Sequence, residues 1–495
     1  MAGPMPRGGR HELDGFASRL MRRYRIPGLS LGVSRDGRPV VARGYGFRDR
    51  EQRLPATPAT IYGIASMTKS FTALAILRLE EHGKLRVTDP VVRHLPEFRT
   101  ADPRWTGRIT LHHFLTHSSG LPPLPSIYYV SARSLARDPP YDPRVARRVG
   151  IDPSHPPLST YAQLLEFLGT ERYRMLGPPG QQFSYSNEAF GLLGAIIERA
   201  SGRTYESFLE DEVLRPAGMS HSTFDTGIMF RCPEVTTLYA PERTGTRPRL
   251  VPSQEWWEDT CLRACGALRT NIEDLFSYLE IYRTRGRVGR ERIVSPASIK
   301  KMLRPAIQFH PGVHYGYGIV VRPDYHGTLL AFHDGGLKGV TSEFAVLPAK
   351  AIGGAVLANI ENAPSPALLR AAINLELGLP LRTPFFETPK RSTPPRSLRE
   401  YAGWYCSGEG IWAQVTARRS SLRLDYRGIE RTSKGLRLHP LGDDQFLVWV
   451  QGTKGSIRFV RDARRRVWAA FVGWRLLRRR TRQERARASQ GGMVW

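Results

Sequence analysis

A proline-rich segment near the C-terminal end divides this chain into two unequal parts. Residues 381–397 include "TPFFETPKRSTPPRS". Proline-rich segments favour extended, semi-rigid linkers over continuous helices or strands. We therefore expect a large domain over residues 12–380, a small domain over residues 398–478 and a basic tail over residues 479–495.

The large domain carries strand patterns at both ends and helical patterns between them. Apolar and polar residues alternate around Asp36-Gly37, a dipeptide typical of hairpin turns. Runs of β-branched and aromatic residues return over residues 315–360, and residues 366–378 resemble a closing helix. The sequence therefore predicts an α+β fold, with an antiparallel sheet flanked by helices and a mostly helical part over about residues 80–262.

The sequence of the small domain predicts an all-β fold. Several short strand-like runs follow one another over residues 398–478, including "WAQVTARRSSLRLDYRG" and "DQFLVWVQGTKGSIRFVRD". Closely spaced short strands of this kind are typical of a small barrel or sandwich. We expect a small β-barrel.

Composition excludes several classes of protein. Hydrophobic residues make up 41% of the 495 residues, yet no apolar run approaches the roughly 20 residues that span a bilayer. The N-terminus has no apolar core typical of a signal peptide, so we expect a cytoplasmic protein. The four cysteines complete no zinc spacing, and we expect no metal and no cofactor.

The chain is strongly basic, with a formal net charge of +28. Its basic residues are mostly dispersed and form no known nucleic-acid-binding motif, so we expect no specific nucleic-acid partner. The exception is an arginine-rich cluster near the C-terminus, "RLLRRRTRQERARAS". A weak contact between the tail, residues 479–495, and an anionic surface stays open.

A serine and a lysine three residues apart open the apolar run "SMTKSFTALAILRLEEHGKL". The run predicts a helix over residues 66–84 with Gly83 near its C-cap. On a helix, residues three apart share one face, so the Lys69 amine can reach the Ser66 hydroxyl. Burial disfavours a charged amine, and an uncharged amine can accept the serine proton.

The S-x-x-K pattern alone is a weak signal. The alternative is that Ser66 only caps a core helix and Lys69 is exposed to solvent. A second copy at Ser298 and Lys301 shows how readily the pattern arises by chance.

Two further motifs follow in the chain. Y-x-N occurs once, at Tyr185 and Asn187, on a loop before a predicted helix. H-x-G at His333 lies in a predicted strand and continues into Gly335 and Gly336, whose bare backbone can approach a substrate closely.

The ordered S-x-x-K, Y-x-N and H-x-G motifs resemble those of the penicillin-recognising serine hydrolases. The resemblance extends to "YGIASMTKSFTALAILRLEEHGKL", "ITLHHFLTHSSGLP" and "FHDGGLKGVTSEFAVLPAKAIGGAVLAN". It covers about residues 12–378 and is closest to the class C β-lactamase-related group, which includes D-aminopeptidases, D-Ala-D-Ala carboxypeptidases and esterases. The part after the linker is similar to the lipocalin-like barrel that often follows these enzymes.

The resemblance implies a role for each motif residue. Ser66 would be the nucleophile that forms an acyl-enzyme, Lys69 its general base, and Tyr185 the group that passes a proton to the leaving group. Asn187 would bond to Lys69 and the substrate amide, and His333 would support Tyr185 electrostatically. Gly335 would line the substrate strand. The backbone N–H groups of Ser66 and Gly336 would form the oxyanion hole.

Position 334 departs from the family pattern, because relatives that cleave β-lactams usually carry a small residue or a hydroxyl there. An aspartate in the cleft would repel a substrate carboxylate and could attract an ammonium. Alternatively, Asp334 points away from the cleft, as every second residue of a strand does.

We expect a serine hydrolase acting on a small amide, an ester or a short peptide. The alternative is a slowly acylating or non-catalytic protein that binds wall peptides or β-lactams.

Overall fold

The computed structural model describes residues 7–137, 154–242, 249–253, 255–256, 260–384, 397–428, 432–442, 444–450, 453–481 and 484. Most of the expected linker and most of the basic tail lie outside the described residues.

The helices of the described residues are, in chain order, α1 (Arg7–Tyr24), α2 (Thr68–Glu81), α3 (Val91–His94), α4 (Pro103–Thr106), α5 (Leu111–Leu115), α6 (Ser126–Val130), α7 (Ala132–Ala136), α8 (Tyr161–Thr170), α9 (Asn187–Ser201), α10 (Tyr205–Leu209), α11 (Thr226–Met229), α12 (Arg263–Gly266), α13 (Ile272–Arg283), α14 (Pro296–Met302) and α15 (Ser365–Glu376). Short 3₁₀ turns lie at Ala65–Met67, Thr260–Leu262, Pro348–Lys350 and Arg399–Tyr401, and a π-helical turn lies at Glu210–Leu214.

The strands of the described residues are β1 (Gly28–Arg35), β2 (Arg38–Asp49), β3 (Leu54–Pro55), β4 (Tyr62–Gly63), β5 (Leu238–Glu242), β6 (Arg249–Ser253), β7 (Arg269–Thr270), β8 (Arg287–Val288), β9 (Glu291–Arg292), β10 (Ile307–His310), β11 (Val313–Tyr315), β12 (Val320–Arg322), β13 (Leu330–Leu337), β14 (Val340–Leu347), β15 (Ile352–Ala358), β16 (Gly403–Cys406), β17 (Trp412–Ala417), β18 (Leu422–Arg427), β19 (Thr432–Gly442), β20 (Gln445–Val450), β21 (Thr453–Arg461), β22 (Val467–Val472) and β23 (Arg475–Arg480).

The large domain is built on one nine-stranded sheet with the order β10-β11-β12-β13-β14-β15-β1-β2-β3. The predicted hairpin is confirmed: β1 pairs antiparallel with β2, and its turn residues Asp36 and Gly37 have φ angles of 51° and 77°. Antiparallel pairing also joins β13 to β14 and β14 to β15, which brings the N-terminal strands beside the last strands of the domain. Helices α13 and α15 pack on this sheet, so the expected α+β arrangement is confirmed.

The predicted helix at residues 66–84 is shorter than expected. Helix α2 begins at Thr68, and Ser66 lies in the preceding 3₁₀ turn. Such tighter turns are frequent at helix N-termini, where the first N–H groups have no partner inside the helix. Almost every residue of α2 is buried, because helices surround it on several sides.

The small domain is a closed eight-stranded barrel of β16 to β23, which confirms the expected barrel. One wall of it packs against the large domain rather than standing apart. Phe471 of β22 shares an apolar cluster with Phe183 and Phe309, with ring centroids 5.8 and 6.1 Å away. The barrel is therefore joined both to the segment before α9 and to strand β10 of the large domain.

Among the described residues, no helix combines the length and the apolarity that crossing a membrane requires.

Candidate active site

Ser66 lies at the mouth of a cavity, on a tight turn that strand β13 supports. Ala65 has a φ of 47°, in the left-handed region that is strained for a residue with a Cβ. The turn packs against Gly335, where an added Cβ would lie 2.2 Å from the Ile64 carbonyl oxygen. The Ser342 hydroxyl donates to that same oxygen at 2.8 Å. Close backbone packing therefore fixes the turn that presents Ser66.

Lys69 is fully buried directly behind Ser66. Its Nζ lies 3.2 Å from Ser66 Oγ, 3.0 Å from Asn187 Oδ1 and 2.8 Å from the Cys265 carbonyl oxygen. The alternative of a helix-capping serine with an exposed lysine is therefore excluded. The carbonyl of Cys265 has no signature in the sequence, since any residue type supplies one.

These three contacts suit a lysine that serves as a base. The Asn187 and Cys265 oxygens can only accept hydrogen bonds. An uncharged amine would donate its two hydrogens to them and turn its lone pair toward the Ser66 O–H. Proton transfer from Ser66 to Lys69 then needs no rearrangement of either side chain.

Tyr185 completes the cluster from the segment before α9. Its ring lies beside Lys69, whose Nζ is 4.8 Å from the ring centroid, and its phenol interacts with both Lys69 and Ser66. Burial raises the pKa of Tyr185, while the charge of Lys69, the bonds to Lys69 and Ser66 and the charge of Arg475 oppose that rise. Asn187 begins α9, which is capped by the Ser186 side chain. The Y-x-N motif thus directs both of its polar side chains at the Ser66–Lys69 pair.

The barrel supplies part of the site, which sequence reasoning missed. The Arg475 guanidinium carbon lies 4.5 Å from the centroid of the Tyr185 ring. Arg475 also forms a two-point ion pair with Glu409, at 2.5 and 3.1 Å, and the Glu409 side chain is 2% exposed. The neighbouring Trp474 accepts the Tyr185 main-chain N–H at 3.4 Å. Arg475 stands in an arginine-rich stretch, and nothing in the pattern distinguishes it from its neighbours.

His333 is buried beside Tyr315 and near Tyr185. Its Nδ1 donates to the Asp334 carbonyl oxygen at 2.6 Å, and its Nε2 lies 2.8 Å from the Tyr315 hydroxyl. Burial, and then the charge of Lys69, lowers the pKa of His333 to about 3. At that pKa the ring is neutral at physiological pH, and the expected electrostatic support of Tyr185 by His333 stays a prediction. Arg475 places a positive charge close to the Tyr185 ring.

The residues after His333 divide between the two faces of β13. Gly336 is exposed and lines the cavity beside Ser66, whereas Gly335 is buried beneath the Ser66 turn. Asp334 lines a second cavity, about 590 Å³ in volume, together with Glu343 and Arg370, and is not among the residues that line the cavity at Ser66. This placement favours the second of the two alternatives for Asp334, in which the side chain points away from the cleft.

The cavity at Ser66 has a volume of about 330 Å³. Its walls come from both domains, and the residues that line it are Ser66, Ile127, Tyr128, Tyr185, Asn187, Cys265, Gly266, Gly336, Leu337, Lys338, Glu361, Asn362, Glu409, Ile411, Tyr426, Gly428 and Arg475. A cavity of this size suits a small substrate or one residue of a larger one. Across the described residues, no group of three His, Cys, Asp or Glu side chains could hold a metal ion.

The second S-x-x-K copy has no such surroundings. Ser298 bonds to Glu81, and Lys301 forms a partly exposed ion pair with Glu80 at 2.7 Å. The two copies show that position relative to the cavity, rather than the motif, separates a candidate nucleophile from a serine with only structural contacts.

The chain is similar to several known proteins. A family model described as Beta-lactamase matches residues 13–378. Protein flp of Staphylococcus aureus (strain MW2) is 26% identical over 369 residues, covering 72% of this chain but only 64% of that relative. Penicillin-binding protein 4* of Bacillus subtilis (strain 168) is 25% identical over 464 residues, covering 90% of this chain and 92% of that protein.

A solved structure extends the likeness through the barrel. The octameric penicillin-binding protein homologue from Pyrococcus abyssi is 31% identical, with a TM-score of 0.66, and the match covers 94% of this chain and 99% of that one. These findings confirm the resemblance drawn from the motifs and the fold expected from it.

Proposed function

Because the chain belongs to the β-lactamase family, we propose that it is a serine hydrolase that cleaves an amide or an ester bond through an acyl-enzyme on Ser66, as a peptidase or an esterase. The observation that supports this most directly is the convergence of Ser66, Lys69 and Tyr185 at one end of a cavity. A hydroxyl, a buried amine and a phenol in contact form the nucleophile, base and proton donor that acyl transfer needs.

The proposed reaction has two halves. Lys69 takes the Ser66 proton as Oγ attacks the substrate carbonyl carbon, and the carbonyl electron pair moves to its oxygen. The N–H groups of Ser66 and Gly336 would stabilise that oxyanion. The tetrahedral intermediate then expels the amine or alcohol, which receives a proton through Tyr185, and water releases the acyl group from Ser66.

Covalent labelling tests the proposal. A fluorophosphonate probe and a fluorescent penicillin are expected to label the wild type and a Ser298→Ala variant equally. A Ser66→Ala variant is expected to lose the label, because its nucleophile is gone. Equal labelling of the Ser66→Ala variant would refute the assignment, and Ser298→Ala controls for the loss of an S-x-x-K serine outside the cavity.

Turnover distinguishes the proposed enzyme from the slowly acylating binder. We expect release of chromophore from p-nitrophenyl esters or D-amino acid p-nitroanilides, with nitrocefin as the β-lactam member of the panel. Stoichiometric labelling of Ser66 with no turnover on any of these substrates would favour the binding protein.

A further inference from the structure

One residue outside the three motifs holds both neighbours of Tyr185. The main-chain oxygen of His117 accepts the Ser184 N–H at 2.8 Å. The Nδ1 atom of its imidazole accepts the Ser186 N–H at 3.1 Å. The segment that carries the phenol is therefore anchored on each side of Tyr185 by the same residue.

The imidazole also packs on the Tyr185 ring itself. The two ring centroids are 4.1 Å apart, with 33° between the ring planes. Phe183, Phe190 and Tyr315 enclose the remaining sides, with centroids 5.8, 4.9 and 4.8 Å away. His117 is fully buried, so its ring has one position available.

The hydrogen bonds fix the protonation state of this ring. Since Nδ1 accepts a main-chain N–H, it carries a lone pair, and the single proton of the neutral ring lies on Nε2. Burial, followed by the positive charges of Lys69 and Arg475, lowers the pKa of His117 well below its usual value. The ring therefore adds no charge beside Lys69.

A histidine at position 117 buries a polar N–H group, which destabilises the fold, whereas a phenylalanine would bury none. Its Nε2 finds no hydrogen-bond partner among the described residues, although it is buried in an aromatic enclosure. Phenylalanine would fill that enclosure without an orphaned donor, but it could not accept the Ser186 N–H. The main-chain φ of 53° at position 117 also favours histidine over phenylalanine, because histidine and asparagine tolerate this region better than most residues.

We propose that His117 is the positioning residue for Tyr185: its imidazole holds the phenol ring and the adjoining main chain so that the phenol reaches Ser66 and Lys69. The inference rests on the proposed function, in which Tyr185 moves a proton during acyl transfer. His117 itself touches neither the substrate cavity nor the reacting oxygen.

A double-mutant cycle separates this role from simple core packing. The rate constant for fluorophosphonate labelling of Ser66 is measured in the wild type, His117→Phe, Tyr185→Phe and the double variant. We expect His117→Phe to label about 10- to 100-fold more slowly, since small misplacements of a catalytic group have effects of this size. The double variant is expected to label no more slowly than Tyr185→Phe alone. If the double variant instead labels more slowly than Tyr185→Phe by the same factor that His117→Phe loses alone, the proposal is overturned.

Amide hydrogen exchange of Ser186 supplies a readout that needs no activity. We expect exchange about tenfold faster or more in His117→Phe, because its ring has no acceptor. His117→Asn, which keeps a side-chain acceptor and suits the φ angle, is expected to retain most of the protection. Unchanged exchange in His117→Phe, or equal loss in both variants, contradicts the proposal even if the wild type proves unable to acylate.

His112→Phe is the matched control. His112 lies on α5, five residues before His117, and its Nδ1 contacts the Tyr317 hydroxyl at 2.9 Å. This variant also loses a partly buried histidine–tyrosine contact, but one that does not involve Tyr185. Its labelling rate and Ser186 exchange are expected to match the wild type, and a change as large as that of His117→Phe would assign the effect to general loosening of the segment.

Discussion

At the scale of single residues, the motifs identified the candidate reacting groups but not the groups that support them. Ser66, Lys69 and Tyr185 are found by type and spacing, because the chemistry requires a hydroxyl, an amine and a phenol. The Cys265 carbonyl and Arg475 could not be found in this way. A main-chain oxygen has no residue type, and an arginine 406 positions beyond Lys69 gains its meaning only from the fold.

Glu343 gives a residue-scale prediction about pH and stability. Burial raises the pKa of Glu343 to about 8, and the facing Asp334 adds to the rise while Arg370 opposes it. The folded protein therefore holds a proton at pH values where the unfolded chain, with a glutamate pKa of 4.5, has released it. By linkage, the contribution of Glu343 to the free energy of unfolding is fully present below about pH 4.5 and falls as the pH rises toward 8.

Glu343→Gln removes that titration. As the pH rises from 5 to 8, the free energy of unfolding of the variant is expected to increase relative to that of the wild type, by about 3 kcal/mol at most. The measurement is the unfolding midpoint of both proteins at the two pH values. A constant difference between the two curves would contradict the assignment.

At the scale of elements, sequence patterns predicted the strands and the hairpin well, because alternation and turn residues are local signals. They misplaced the start of α2, since the strained Ala65 turn is imposed by contact with β13 and β14. The patterns also left undecided which face of β13 carries the Asp334 side chain. In the structure β13 pairs Asp334 with Glu343 and Gly335 with Ser342. Gly335 and Ser342 lie against the turn before Ser66, so Asp334 is on the opposite face.

The adjacent glycines of β13 provide the element-scale prediction. A Cβ on Gly335 would lie 2.2 Å from the Ile64 oxygen and 2.4 Å from Ser342 Oγ, whereas a Cβ on Gly336 meets nothing within 4 Å. Gly335→Ala is therefore expected to displace the Ser66 turn, with a loss of about 1–3 kcal/mol in stability and about 100-fold in labelling rate. Gly336→Ala is the steric control and is expected to keep the wild-type unfolding midpoint. Equal midpoints and equal labelling rates for Gly335→Ala and the wild type would show that the turn does not depend on this contact.

At the scale of the whole molecule, the linker pattern predicted a large unit followed by a small one but gave no sign that the two share a cavity. Glu409, Ile411, Tyr426, Gly428 and Arg475 of the small domain form part of the wall of the cavity at Ser66. Contacts between segments this far apart in sequence leave no periodicity or short motif to detect. A linker pattern predicts where a domain boundary falls, not whether the domains share a cavity.

Arg475 provides the whole-molecule prediction. Its charge lowers the pKa of Tyr185, opposing the effect of burial. Replacing the ion pair by a neutral pair, Glu409→Gln with Arg475→Met, is expected to move the limb of the pH–rate profile that belongs to Tyr185 about one pH unit upward. Arg423→Met, on barrel strand β18, is the control and is expected to keep the wild-type profile. An unmoved limb in the double variant would remove Arg475 from the electrostatics of Tyr185.

The bond from the Tyr185 main chain to the Trp474 main chain ties the segment before α9 to the hairpin of β22 and β23. Local opening of that hairpin would therefore also release one of the contacts that hold the main chain at Tyr185.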